Sequence, residues 1–152
     1  MYVLVMHVAL IGFPDLPPYA AQMGEITAPP LGTWRVRDIV DGPASSRGEK
    51  EVTKKLRVRI TEKRLVVTGG EEREEYVIVG INPSQGTAAI DLRDLTSGRT
   101  YRGIYERDGK RLRICIQFWT TGNAKTSVRP ESFQEADSAK VFGPTLYLLE
   151  QD

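Results

Sequence analysis

From residue 32 onward the chain alternates apolar and polar positions with a period of two, and turn residues break the alternation at short intervals. No stretch there carries the 3.6-residue apolar stripe of an amphipathic helix. The pattern predicts an all-β domain with strands over 33–40, 56–61, 64–68, 74–81, 88–93, 100–107, 110–119 and 145–151. Successive side chains of a strand point to opposite faces, so the alternation also assigns an inside and an outside. Leu56, Val58 and Ile60 face one way and Arg57, Arg59 and Thr61 the other. Leu112, Ile114, Ile116 and Phe118 oppose Arg111, Arg113, Cys115 and Gln117, and Trp34 and Val36 oppose Arg35 and Arg37. The strand over 74–81 is apolar on both faces, and Val77, Val79 and Ile81 are taken as inward. Eight strands with one apolar and one charged face fit a sheet that closes on itself and removes its own edges.

The connections sharpen this to an up-and-down antiparallel barrel. In that topology alternate connections share a rim, and the second, fourth and sixth are all short. One of them, Asp108-Gly109, is a type I′ hairpin signal. The opposite rim carries the long connections 41–55 and 120–144, beyond the roughly two to five residues a hairpin uses. The expectation is a barrel tightly closed at one end, with its long loops at a mouth. The 120–144 loop is expected to hang over that mouth, with Arg129 either holding an acidic head group or anchoring the loop, and Phe133 either folding back as a lid or packing on the wall. Trp34, near the tight end, is expected to plug the floor, worth about 2 to 3 kcal/mol of burial, with ligand contact as the sharper reading. Gly103 is expected to mark a bend where the sheet curls.

Composition narrows the chemistry. The 152 residues make one domain, read as 31–152, with residues 1–30 as a leader outside the barrel. Twenty-one basic residues against 20 acidic ones, net +1, argue against nucleic acid as a partner. The basic run 54–64 has no interleaved aromatics to stack bases and reads as a solvated strand face, although it could also meet an anionic surface. A single cysteine, Cys115, and a single histidine, His7 in the leader, leave no disulfide, no zinc site and no nucleophile–base pair in the domain; no catalytic residue, metal or cofactor is expected. Cys115 is expected on the outer face, half covered. The apolar stretch 2–13 is too short to span a membrane and resembles an atypical export signal, followed by a Pro-rich linker over 14–30, which favours an exported or cell-envelope location over the cytoplasm.

Five segments carry a family resemblance: "LGTWRV" at 31–36, "INPSQGTAAIDL" at 81–92, "GIYERDGKRLRIC" at 103–115, "RPESF" at 129–133 and the closing "LYLLEQ". In order and over most of 31–151, they resemble a planctomycete-type family of lipocalin-like (calycin) domains of unknown function. Gly32-Thr33-Trp34 is similar to the Gly-x-Trp signature that opens such barrels. The resemblance implies an eight-stranded calycin-type barrel with no assigned reaction or ligand. The chain departs from the family's usual pattern at Arg107, where an apolar residue is more typical.

The leading functional expectation is a non-enzymatic, lipocalin-like protein binding a small hydrophobic or amphipathic molecule in the barrel. Trp34, Val36, Val58, Val79, Tyr101, Tyr105 and Phe118 would line the interior, with Arg129 and Phe133 at its mouth. The alternative is a barrel filled by its own side chains, acting as a protein-interaction module through its rim loops. An interior cavity of about 300 Å³ separates the two.

Overall fold

A computed structural model describes residues 29–41, 54–69, 71–83, 87–137 and 142–152. Its strands are β1 (Gly32–Val40), β2 (Arg57–Ile60), β3 (Arg64–Gly69), β4 (Glu72–Asn82), β5 (Ala88–Asp94), β6 (Thr100–Asp108), β7 (Arg111–Gln117) and β8 (Thr145–Gln151). Each pairs antiparallel with the next, and β8 returns to pair with β1, closing the ring in chain order. The all-β, eight-stranded, up-and-down antiparallel barrel is therefore the fold. The stretch read as an export signal and most of the stretch read as a linker lie outside the described residues. Among the described residues no helix is long and apolar enough to cross a membrane.

Alternation places the core as expected on most strands. Trp34, Val36, Val58, Ile60, Leu65, Ala88, Ile90, Leu92, Tyr105, Leu112, Ile114, Ile116 and Leu149 form one buried cluster inside the ring. On β4 the parity breaks. The register with β5 shifts between Ile78 and Gly80, so Val79 is an extra residue in a bulge. Tyr76 and Ile78 point inward before it and Ile81 after it, all packed on the core, while Val79 is 44% exposed. The inward placement of Val79 is thereby corrected, because one inserted residue reverses the phase of a strand. A second bulge in β1, between Val36 and Asp38, lets Arg37 and Asp38 stay outside while Ile39 still reaches the core.

At the tight end the β6–β7 hairpin pairs Asp108 with Arg111, leaving Gly109-Lys110 as the loop. Gly109 has φ 55° and, among the described residues, no non-glycine residue has positive φ, so the turn follows the type II′ requirement of glycine first, one residue along from the expected I′ pair. Trp34 seals this floor. It is fully buried, and its indole Nε1 donates to the Pro30 carbonyl at 2.9 Å. Arg107 completes the floor from below: its guanidinium carbon lies 5.3 Å from the centroid of the Trp34 ring, and Nη1 donates to the Pro29 carbonyl. The stem covers the floor and the charge finds both a ring face and a carbonyl.

Gly103 sits where β6 passes between Ile90 and Ile116. A Cβ there would stand 2.8 Å from the Cys115 carbonyl oxygen and 3.0 Å from Ile116 Cγ1. Close approach of the wall to itself requires glycine at this position.

Candidate functional site

The interior is filled. The void left among Val58, Leu65, Val67, Tyr76, Ile114, Ile116, Phe118, Tyr147 and Leu149 measures about 10 Å³, the room one water needs. Its mouth side is stoppered by rings. Phe118 lies 5.3 Å from Tyr101, 5.9 Å from Tyr76 and 6.4 Å from Tyr147, centroid to centroid, in tilted and edge-to-face contacts. The Tyr76 hydroxyl donates to Glu74 Oε2 at 3.2 Å. Burial and then the Glu74 charge push the phenols of Tyr76 and Tyr147 well above their usual range, so they stay neutral donors.

Of the residues expected to line a ligand, Trp34, Val36 and Val58 belong to the packed core, and Tyr101 and Phe118 to the aromatic stopper. Tyr105 is fully buried, its hydroxyl has no hydrogen-bond partner among the described residues, and burial raises its pKa. Val79 is outside altogether.

The described part of the 120–144 loop does not cover the mouth but runs down the outer wall. Thr126 bridges to Thr100 of β6 in parallel, and the Ser127 hydroxyl accepts from the Arg102 amide. Arg129 then clamps the wall: Nη1 donates to the Gly103 carbonyl at 2.6 Å, more weakly to the Ile90 carbonyl at 3.4 Å, and Nη2 to Asp91 Oδ1 at 2.7 Å. A guanidinium held this way by two strands anchors the loop. Beyond Pro130, a 3-10 turn spans Phe133–Asp137, its start held by Glu135, whose carboxylate accepts from the Glu131 and Ser132 amides. Phe133 and Ala136 pack there over Ile104, Cys115 and Leu146 in a second apolar cluster, and the Arg113 guanidinium stands 4.4 Å from the Phe133 ring. Of the two readings open for each residue, the geometry is that of anchoring for Arg129 and of packing on the wall for Phe133. The same cover corrects Cys115, which faces outward but is fully buried, its thiol pushed up to about 12 mainly by burial and then by the Glu135 charge.

Where the loop leaves and rejoins the barrel it forms a cleft that the sequence reading did not single out. Gln117, Trp119, Thr120, Thr121, Thr126, Val128 and Phe142 enclose about 310 Å³ on the outer side of the mouth-end rim. Strand parity puts Gln117 and Trp119 outward, which was visible in the sequence. Phe142 comes from the far end of the loop, and no local pattern brings it to Trp119. The rings of the two meet edge to face at 5.0 Å, and the Gln117 amide nitrogen donates to the Phe142 carbonyl at 3.3 Å.

A different groove, lined by Arg37, Arg111, Arg113 and Glu150 with Leu112, Leu148 and Leu149, holds about 330 Å³ on the wall. Its charges are largely spent: Arg37 pairs with Glu150 at 2.8 Å, and Arg113 pairs with Glu106. Among the described residues no group of three or more acidic, cysteine or histidine side chains is placed to hold a metal ion. In comparison with known proteins, the chain matches no family model, no curated protein and no solved structure.

Proposed function

We propose that this protein is a non-enzymatic binding module, a self-filled barrel that recognises its partner with the outside of its rim and not with its interior. The observation that carries the reading is the 10 Å³ interior void, far below the roughly 300 Å³ at which small-molecule pockets begin. Two volumes of that size lie on the outer surface, and the exposed aromatic side chains Trp119 and Phe142 border one of them. Support for a non-enzymatic role comes from Cys115, the one thiol, being buried with a raised pKa and no base beside it among the described residues. Kinship with lipocalin-like barrels belongs to the same proposal, supported by the five resembling segments and by a ring of eight strands in chain order.

The test is native mass spectrometry of the purified full chain, followed by titration with an environment-sensitive apolar dye. The expected result is an unliganded mass and no saturable dye binding. A stoichiometric co-purifying lipid, or one saturable dye site displaced by a fatty acid, would overturn the proposal in favour of an interior carrier, with the unpartnered Tyr105 hydroxyl as the group that would orient the ligand.

A further inference from the structure

We infer that the groove on the outer face of β8 binds an acidic segment of a partner protein, held extended between two banks of arginine with carboxylates at alternate positions. This goes beyond the reading of the rim: it gives the wall an occupant of its own and shares with that reading only that recognition is external.

The strands on either side of β8 build the banks. β7 places Arg111 and Arg113 outward, two residues apart. β1 does the same with Arg35 and Arg37, the second kept outside by the bulge between Val36 and Asp38. Between them β8 turns Leu148 and Glu150 outward, paired in register with Arg113 and Arg111 on one side and with Asp38 and Arg35 on the other. The space enclosed is about 330 Å³, lined by three guanidinium groups and one carboxylate.

The pairs made within the wall leave that excess of positive charge in place. Glu150 is shared, its Oε2 lying 2.8 Å from Arg37 Nε and 3.4 Å from Arg35 Nη2. Arg113 turns to Glu106 on β6 and rests on the Phe133 ring. Arg111 has Glu150 and Asp108 as its neighbours across the strands, yet its side chain makes no ion pair or hydrogen bond among the described residues. Exposed pairs of this kind hold weakly and give way to a better-placed anion at little cost.

Spacing and composition select the occupant. Alternate residues of any extended chain recur about every 6.6 to 6.8 Å, so carboxylates two positions apart meet Arg111 and Arg113 in step. A guanidinium presents a planar fork of donors that a carboxylate matches with two bonds. Glu150, inside the groove, repels a phosphate dianion more than a single carboxylate, and Leu148 offers an apolar seat that only a chain with apolar atoms uses. Nucleic acid lacks a stacking platform here, because Phe133, the ring beside the groove, already carries Arg113. A bilayer is flat and leaves a recess unfilled. Strand addition is closed off by the ring, so the segment is held through side chains.

The experiment follows amide-resolved NMR of the full chain during titration with a blocked hexapeptide of alternating glutamate and leucine, at about 25 and 150 mM salt. Saturable shifts confined to 35–37, 111–113 and 148–150 are expected, with weaker binding at the higher salt. A peptide of the same composition with its three glutamates in one block should bind about threefold or more weakly, since only alternation keeps step with the banks. Arg111→Gln should weaken binding about fivefold or more, while Lys125→Gln, which removes an equal charge elsewhere, leaves it unchanged. Glu150→Gln frees Arg35 and Arg37 and should tighten binding about twofold or more. Absence of saturable shifts, equal affinity for the block peptide, or equal loss from Lys125→Gln would overturn the inference. So would tighter occupancy of the same residues by a single-stranded oligonucleotide or by phosphatidylglycerol vesicles. A silent acidic peptide removes only this inference, whereas a positive dye titration removes the reading of the rim and leaves the groove, which lies outside the ring, untouched.

Discussion

Tyr105 shows how a side chain can fit a core by shape and still leave one atom unmet. The residue is fully buried between Ala88 and Ile114 on the neighbouring strands, and its hydroxyl has no partner among the described residues. An unpaired buried hydroxyl costs on the order of 1 to 3 kcal/mol, while the ring contributes its full burial. Tyr105→Phe keeps the ring and deletes the cost, so urea denaturation should show the variant more stable by about 1 kcal/mol. A loss of stability instead would show that the hydroxyl is satisfied and in use. Trp34 is the contrasting case, since its one polar atom has the Pro30 carbonyl and its ring has Arg107. The tryptophan was legible from its position on β1, but Arg107 was not, because only closure of the ring brings the end of β6 under β1.

At the scale of the element, period-two patterning carried the strands and failed where a strand carries an extra residue or a loop comes back. The bulge at Val79 has no composition signal, since both faces of β4 are apolar and either phase satisfies the pattern. The outer face of β7 was assigned correctly, yet the cover that buries Cys115 is supplied by Phe133 and Ala136, some 20 residues on, and short-range patterns do not see across that separation. The arginine that holds the cover in place was visible as a candidate, and its two meanings, head-group clamp or wall anchor, differ only in three dimensions. This cover has a pH signature. The folded thiol of Cys115 is pushed up to about 12, above the roughly 8.5 of a free cysteine. Its contribution to stability is therefore complete below about pH 8.5 and is lost progressively as pH rises toward the folded value. Urea midpoints of wild type and Cys115→Ala compared from about pH 7 to pH 10 should converge as pH rises, the lysines and tyrosines being common to both. Parallel pH profiles would mean that the thiol is already solvated. Phe133→Ala should then expose the sulfur, detected as faster reaction with a thiol reagent under native conditions.

For the whole molecule, what decides between an empty cup and a filled one is a few rings. Apolar residues face inward on every strand of this barrel, and the long loops attach at one end. Its interior differs because Phe118, one step past the end of β7, lies at the centre of Tyr76, Tyr101 and Tyr147 and closes the column of side chains above Val58 and Ile114. Sequence alone leaves this open, since a barrel of eight strands is at the size where its own side chains either fill it or leave room for one small ligand. Removing the ring tests the distinction directly. Phe118→Ala deletes a half-buried aromatic and should cost about 2 to 3 kcal/mol, less than the roughly 3 to 5 of a fully buried phenylalanine. If the tyrosines hold their places, the space opens next to an apolar floor, stays dry, and takes up benzene or xenon, as apolar cavities of that kind do. Xenon-induced NMR shifts on the inward residues of β2, β3 and β7 should then appear in the variant and be absent from the wild type. Equal shifts in both would mean that the native rings already swing aside and that the interior is accessible. In that case the stopper would be a gate, and recognition would move from the rim back into the barrel.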